Sequence, residues 1–342
     1  MKRLNKEFPL GKLKHKYLAQ LLSNIEIYDE RVIMGSKIGE DAAVIDIPGD
    51  NYLVIKTDPI TFATDEIGYY AVIVNVNDLV CTGAKPKWFQ STILLPEYLT
   101  TREIIEDIFI NIHKTCKSMG ITVVGGHTEI TPGLDRPIII GSLVGEVQKN
   151  KLVLTSGAEP GDALILTKGI FIEGTSIIGR EKEKELIQKE FNQDFIEKCK
   201  NYLYNPGISV YKEAVLVNDH FEIKSMHDPT EGGLATGIAE MTIASNTGVI
   251  IEREKIKILP EPLKLSETFN LNPMGTISSG TLLIAINNEN SIELLDLLKK
   301  NQIDAEKIGE FVSNNKGLKI KEKDGKLNQL YYSETDEITK IF

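Results

Sequence analysis

The sequence predicts a mixed α/β (α+β) fold in two parts, and three observations point there. The chain has 342 residues, enough for about two domains. Apolar runs of strand length alternate with runs of helical period through most of it. A turn-rich passage, "TSGAEPGDALILT" (155–167), interrupts that alternation and restarts it with a new strand. The division therefore falls between 1–154 and 155–342. Hydrophobic residues make up 42% and charged residues 26%, so each part can bury a sizeable core.

Taken in order, residues 1–12 read as a loose arm. "KLKHKYLAQLLSNI" (12–25) then places Leu13, Tyr17, Leu18, Leu21 and Leu22 at helical spacing. "DAAVIDI" and "NYLVIKTD" read as strands joined by the turn "PGDN". A helix over 68–82, a strand over 89–95, a helix over 101–118 and strands over 121–125 and 136–147 complete the first part. The second part predicts helices near 173–180, 182–202 and 208–218, a strand near 222–226 and a helix over 231–246. Strands at 248–252 and 279–286 and a helix at 290–300 follow. The last thirty residues, with "NNKG" and "KDGK" turns, read as hairpin strands.

The net charge is −10 and no Lys/Arg cluster forms a stripe that could track phosphates, which excludes nucleic acid as the main partner. The first residues, "MKRLNK", lack the apolar stretch of a secretory signal, and no segment approaches eighteen apolar residues. A cytoplasmic protein without membrane partners is expected. Cys81, Cys116 and Cys199 are odd in number and show no CxxC, so they read as small buried apolar side chains.

Four stretches put polar groups where the pattern calls for apolar ones. In "GEDAAVIDI" (39–47), Gly39 precedes adjacent carboxylates, Glu40 and Asp41, at the mouth of a buried strand. In "VIKTDPI", Asp58 ends a strand and so projects into the crevice outside a sheet, unless it is simply a turn residue before Pro59. The helix "YAVIVNVNDLVCTGAKP" (70–86) is apolar nearly all round except for a line of Asn75, Asp78 and Thr82. A bare buried charge costs several kcal/mol, so Asp78 must meet a cation, a donor network or a metal, or lie on a narrow solvated stripe. In "VVGGHTEI" (123–130), Gly125 and Gly126 permit close backbone approach, and alternation sends His127 and Glu129 to one side.

The second part adds "MHDPTEGGLATGIAEM" (226–241). Asp228 leads into Gly232 and Gly233 and then a helix, and a glycine-rich helix entry is an anion site with free N–H groups. A plain helix start, capped by Thr230 with Glu231 in the first turn, also fits part of it. Many carboxylates with few histidines and no cysteine pattern suit Mg²⁺, and Mg²⁺ beside glycine-rich loops implies a nucleotide polyphosphate. No GxxxxGK[ST] or protein-kinase motif set is present.

In this order, "GEDAAVI", "KTDPI", "VNVNDLVCTGAKP", "GGHTEI" and "HDPTEGGLA" resemble the AIR synthase (PurM-like) superfamily, and "PGDALILT", "EGTSII" and "ISSGTLLIA" extend the likeness to about residue 286. Within it, the HypE hydrogenase maturation factors are most similar. The resemblance implies a two-domain fold whose N-terminal sheet pairs with a second subunit into a dimeric barrel, with an α/β sandwich-like second domain. It implies ATP in a cleft near that interface. Asp41, Asp58, Asp78 and Asp228 would hold Mg²⁺ on the triphosphate, with Glu129 nearby and Gly39, Gly125, Gly126, Gly232 and Gly233 in the nucleotide cradle. His127 and Asp228 would act catalytically, though His127 can equally be a structural histidine. Glu40 reads as a neighbour of the metal, not a ligand.

Two departures matter. HypE proteins end in a cysteine that carries the reacting group, whereas here the sequence reads "DEITKIF" with Phe342 in that place. Glu231 stands where the HypE motif has Arg. The expected activity is Mg²⁺-dependent phosphoryl transfer from ATP to an amide-like or other oxygen, on a small-molecule or protein-borne acceptor. The alternative is a nucleotide-binding accessory of metal-centre assembly that catalyses no transfer.

Overall fold

The computed structural model describes residues 11–61, 63–333 and 335–342. Of the expected arm at 1–12, only Gly11 and Lys12 lie within the described residues. The first part runs α1 (His15–Leu22), β1 (Val32–Met34), β2 (Ala43–Asp46), β3 (Asn51–Ile60), α2 (Ile67–Cys81), β4 (Lys85–Pro96), α3 (Arg102–Ser118), β5 (Thr122–Thr131) and β6 (Ile138–Gln148). Its strands form one open sheet in the order β1-β2-β3-β6-β4-β5. All pairs are antiparallel except β4–β5, where α3 supplies the crossover that a parallel pair requires.

The second part continues with β7 (Asp162–Thr167), α4 (Ile172–Glu181), α5 (Glu183–Gln188), α6 (Gln193–Asn201), α7 (Tyr211–His220), β8 (Ser225–His227), α8 (Gly233–Ser245) and β9 (Thr247–Glu252). It closes with α9 (Pro260–Phe269), β10 (Leu283–Asn287), α10 (Ser291–Lys300), β11 (Ala305–Ser313), β12 (Leu318–Lys321) and β13 (Leu327–Gln329). These strands form a seven-stranded sheet, β13-β12-β9-β11-β7-β10-β8. Both sheets and their helices give the two-domain mixed architecture the alternation predicts.

The core explains α2. Fourteen of its residues, including Asp78, are buried. It packs on β3 and β6 from one sheet and on α7 and β8 from the other part. One continuous apolar cluster accordingly joins Val54, Phe89 and Leu143 to Ile165, Met226 and Ile284. A helix buried on every side needs apolar residues on every side. Asn77 helps fix it: its amide donates to the Ile208 carbonyl (2.7 Å) and accepts from the Val210 N–H (2.9 Å).

Several elements depart from the sequence pattern. The first helix is only His15–Leu22 and buries no residue. The strand expected over 121–125 continues through both glycines to Thr131. The helix expected over 182–202 is broken, because Glu190 takes a left-handed φ of 63° and Asn192 caps α6 by accepting from Phe195 N–H. The helix expected at 231 starts at Gly233, since Gly232 sits at φ 80°. Residues 279–282 form a turn ahead of β10, and α9 and β11 were not apparent in the periodicity. The C-terminal hairpin, β12 with β13, is present as expected. Among the described residues, no helix is long and apolar enough to cross a membrane.

Candidate active site between the two sheets

Strand alternation puts Lys56 and Asp58 on the same face of β3, beneath α2. There Lys56 Nζ lies 2.8 Å from Asp78 and 3.4 Å from Asp58. Asp78 thus meets a cation, and that cation is a lysine. Burial still pushes the Asp78 carboxyl up, Lys56 opposes this, and the negative charges of Asp228, Asp58 and Asp41 add to the upward push. The other members of the polar line are spent locally: Asn75 Nδ2 donates to the Ala71 carbonyl and Thr82 Oγ1 to that of Leu79.

Asp228 enters from the second part, just after β8, and is 2% exposed. Burial raises its carboxyl to about 6, partly countered by His227. Its Oδ2 has no hydrogen-bond partner, while Oδ1 lies 3.9 Å from Cys81 Sγ. Burial and these carboxylates push the Cys81 thiol well up, so it stays protonated and serves as a weak donor. All three cysteines are free and buried, as expected.

His227 joins the two parts. Its Nδ1 is 3.3 Å from Asp41 and its Nε2 is 3.0 Å from Glu240 on α8. Burial works against its charge, but the two carboxylates prevail and raise it well above the ordinary histidine range. Burial likewise opposes ionisation of Asp41, and His227 and Lys56 overcome it, holding the carboxyl at about 2. Glu240 is also approached by His15 Nε2 at 3.4 Å and Lys12 Nζ at 3.9 Å. Glu40 accepts from Thr155 N–H and Ser156 N–H, each at 3.0 Å, so it latches the first part to the start of the second and is no ligand.

Four of the predicted residues, Asp41, Asp58, Asp78 and Asp228, therefore converge from both parts. Among the described residues, however, no group of three or more His, Cys, Asp or Glu side chains is arranged as a ready metal cage. That arrangement still fits Mg²⁺, which is commonly bound by one or two carboxylates together with phosphate oxygens and water. The unpartnered, buried Asp228 Oδ2 and the raised Asp78 and Asp228 carboxyls mark where a cation would relieve both.

Other predicted residues do not join this cluster. Asp58 pairs across the sheet with Gly141, Gly141 with Ser91 and Ser91 with Gly126, so β5 lies three strand spacings from Asp58, about 14 Å. His127 and Glu129 sit on that edge strand, share one side and hydrogen-bond to each other at 3.1 Å, exposed to solvent. Glu129 is thus not beside the aspartates of its own chain. Gly126 is required sterically, because a Cβ there would overlap the Ser91 carbonyl oxygen, whereas one at Gly125 would meet nothing within 4 Å. Gly39 turns at φ 83° against the Glu240 carbonyl.

Gly232 and Gly233 require a correction. Gly232 N–H donates to Asp336 Oδ2 at 2.6 Å, and Gly233 N–H to the Thr230 carbonyl at 2.9 Å. The α8 N-terminus therefore already holds a carboxylate from the chain's own last residues. Both glycines answer crowding: a Cβ would meet Thr236 and the Ser333 carbonyl at one and the Thr276 and Met274 carbonyls at the other. Glu231 accepts from Lys12 N–H at 3.1 Å, and Lys12 Nζ donates to Thr230 Oγ1 at 3.2 Å, so this acidic residue docks the segment before α1.

Lys12 stands between two cavities. One, about 470 Å³, lies between α1, the 35–43 loop and Glu240. The other, about 460 Å³, lies between Asp58, Tyr70, Glu173, Glu231 and Ser279. Lys56, His227, Glu240 and Glu173 were missed as site residues. A lysine in the apolar run "LVIKTD", two positions before Asp58, and a glutamate inside "IFIEGTSII" were the available signals.

Residues 39–147 match the family described as AIR synthase related protein, N-terminal domain, and residues 159–321 match its C-terminal domain. The chain is 30% identical to a putative hydrogenase expression/formation protein of Methanocaldococcus jannaschii, covering 88% of each. It is 25% identical to the carbamoyl dehydratase HypE of Cupriavidus necator, over 81% of this chain and 78% of that protein. A solved structure of the hydrogenase maturation protein HypE in complex with ATP shares the fold at TM-score 0.67 and 21% identity, over 93% of this chain and 95% of that one. With both domain matches in order on a shared fold, the chain belongs to the AIR synthase related family.

Proposed function

We propose that the protein is a Mg²⁺-dependent, ATP-utilising phosphoryl-transfer enzyme, acting as a homodimer on an amide-like or other oxygen acceptor. The observation that carries this reading is the convergence of Asp41, Asp58, Asp78 and Asp228 around Lys56 and His227. Four carboxylates, two of them buried, gathered around two cationic partners are costly to assemble unless further positive charge arrives. The relatives' names, a carbamoyl dehydratase and an ATP complex, support the same class of chemistry.

In this reading Asp78 and Asp228 would hold Mg²⁺, and Asp41 and Asp58, each about one third exposed, would lie toward the nucleotide. The ion would neutralise charge on the triphosphate as the γ-phosphoryl group moves. Lys56 balances the aspartates and His227 orients Asp41. The γ-phosphorus–oxygen bond to the β-phosphate breaks as one forms to the acceptor oxygen, and ADP leaves. His127 and Glu129 would serve a partner's site: their edge strand is exposed along its length, with Val123, Val124 and Ile130 uncovered.

Calorimetric titration with Mg·ATP tests the reading. Saturable binding that needs Mg²⁺ and is abolished in Asp78→Ala is expected; absence of binding in the wild type ends it. One observation favours an accessory role in hydrogenase maturation without catalysis, namely that Asp336 occupies the α8 N-terminus. Labelled ATP with candidate acceptors separates the two, because ADP formed together with a modified acceptor is inconsistent with the accessory role.

A further inference from the structure

The segment leading into α1 is held over the candidate site with little packing. α1 buries none of its residues, and Leu13, Leu18 and Leu22 wall the cavity of about 470 Å³ beneath it. Polar contacts tie the segment to the second part of the chain instead. Glu231 accepts from the Lys12 backbone N–H at 3.1 Å, and His15 Nε2 lies 3.4 Å from Glu240 on α8. Acids of one domain thus dock a segment of the other, and Lys12 is the residue at the crossing.

This docking does not use up the Lys12 ammonium. Nζ donates to the neutral hydroxyl of Thr230 at 3.2 Å, and the Glu240 carboxylate stays 3.9 Å away, outside hydrogen-bond reach. Glu240 is itself engaged by His227 at 3.0 Å, and Glu231 spends its bond on the Lys12 backbone. Lys12 borders both cavities of the site, Asp58 the one and Asp41 the other. The surrounding protein opposes its charge, but Glu240, Asp41, Glu231 and Asp58 outweigh that and raise the ammonium above the ordinary lysine value. With 42% of the side chain still meeting solvent, an anion can reach it. A charged donor bonded only to a hydroxyl gains by exchanging that hydroxyl for an ionised oxygen.

We infer that Lys12 is a nucleotide-contact residue, its ammonium donating to an oxygen of the triphosphate between Asp41 and Asp58, delivered there by a segment that Glu231 and Glu240 dock. This rests on the nucleotide lying where the proposed function puts it. A lysine carries three donors on a flexible stem, so Nζ can leave Thr230 for a phosphate oxygen while Glu231 keeps the backbone in place. Nucleotide and segment then steady each other, because each supplies the other with a contact.

Calorimetric titration of the full chain with Mg·ATP compares wild type, Lys12→Met and Lys12→Arg, and hydrogen exchange follows the amides of residues 12–22 with and without the nucleotide. Lys12→Met keeps the stem and removes the charge, and its affinity falls about ten-fold, the scale of one hydrogen bond to a charged group. Lys12→Arg stays close to wild type. Mg·ATP slows exchange over residues 12–22 in wild type and Lys12→Arg but not in Lys12→Met, while exchange without nucleotide is the same in all three. Equal Mg·ATP affinity in wild type and Lys12→Met overturns the inference and leaves the proposed function standing. A loss of affinity in Lys12→Met accompanied by faster exchange without nucleotide also overturns it, since that marks a role in docking alone. A wild type that binds no Mg·ATP removes both.

Discussion

Asp78 and Asp228 lie 4% and 2% exposed between the two sheets, whereas His127 and Glu129 lie 66% and 49% exposed on the edge strand β5. Both pairs come from motifs that the sequence marks as candidate site residues. Burial raises both carboxyls of the buried pair, and Lys56, His227 and Asp41 around it modify that shift. The exposed pair is satisfied by its own hydrogen bonds. Burial therefore makes the first pair dependent on the chain's own tertiary contacts, and exposure makes any role of the second depend on something outside the chain.

The sharpest way to break this contrast is Asp78→Ala. Turnover of Mg·ATP should fall by about 10²–10³-fold in a steady-state assay, the usual scale for removing a group that organises transition-state charge. Lys56→Met comes next. It leaves Asp58 and Asp78 without their shared cation, which should cost about 3–5 kcal/mol in urea unfolding. Added Mg²⁺ should recover part of that loss; an unmoved midpoint would show that Lys56 does not balance the pair.

A pH profile extends the contrast to Glu173. Burial raises its carboxyl to about 7 from an ordinary 4.5, with the nearby Asp336, Asp228 and Glu231 acting in the same direction. A raised folded-state value means the native protein holds the proton more tightly than the unfolded chain. Its contribution is fully present below about 4.5 and is lost as pH rises through about 7, on the order of 3 kcal/mol across that window. Unfolding midpoints of wild type and Glu173→Gln should diverge over this range, the variant showing the flatter profile. On the exposed strand, Gly126→Ala should cost about 2 kcal/mol, because its methyl group meets the Ser91 carbonyl. Sedimentation should show it weakening self-association as well. The smallest effect belongs to His127→Ala, with an unchanged melting temperature but a fall in turnover if a partner's site uses this strand.

Much of the fold was legible beforehand. The period of α2, the strand run 51–58 and the turn-rich restart near 155 each follow from local residue order. Of the candidate site, Asp58 and Asp78 were legible because a carboxylate in or at the end of an apolar run is conspicuous. Lys56 was harder to see, since a lysine beside a strand's end reads equally well as solvated. The Gly232–Gly233 entry misled, because free N–H groups at a helix start are indistinguishable in sequence from groups already bonded by Asp336, 104 positions away.

By itself, then, the sequence determined the elements, their two-part grouping and the residue types available for chemistry, all of which depend on neighbours within a few positions. The tertiary structure alone decided which charges meet: Lys56 with Asp78, His227 between Asp41 and Glu240, and Asp336 at α8. The reason is physical. Periodicity records which face of an element is buried, but a charge's partner is whatever distant group the packing brings within a few ångströms, and burial then magnifies the consequence of that meeting.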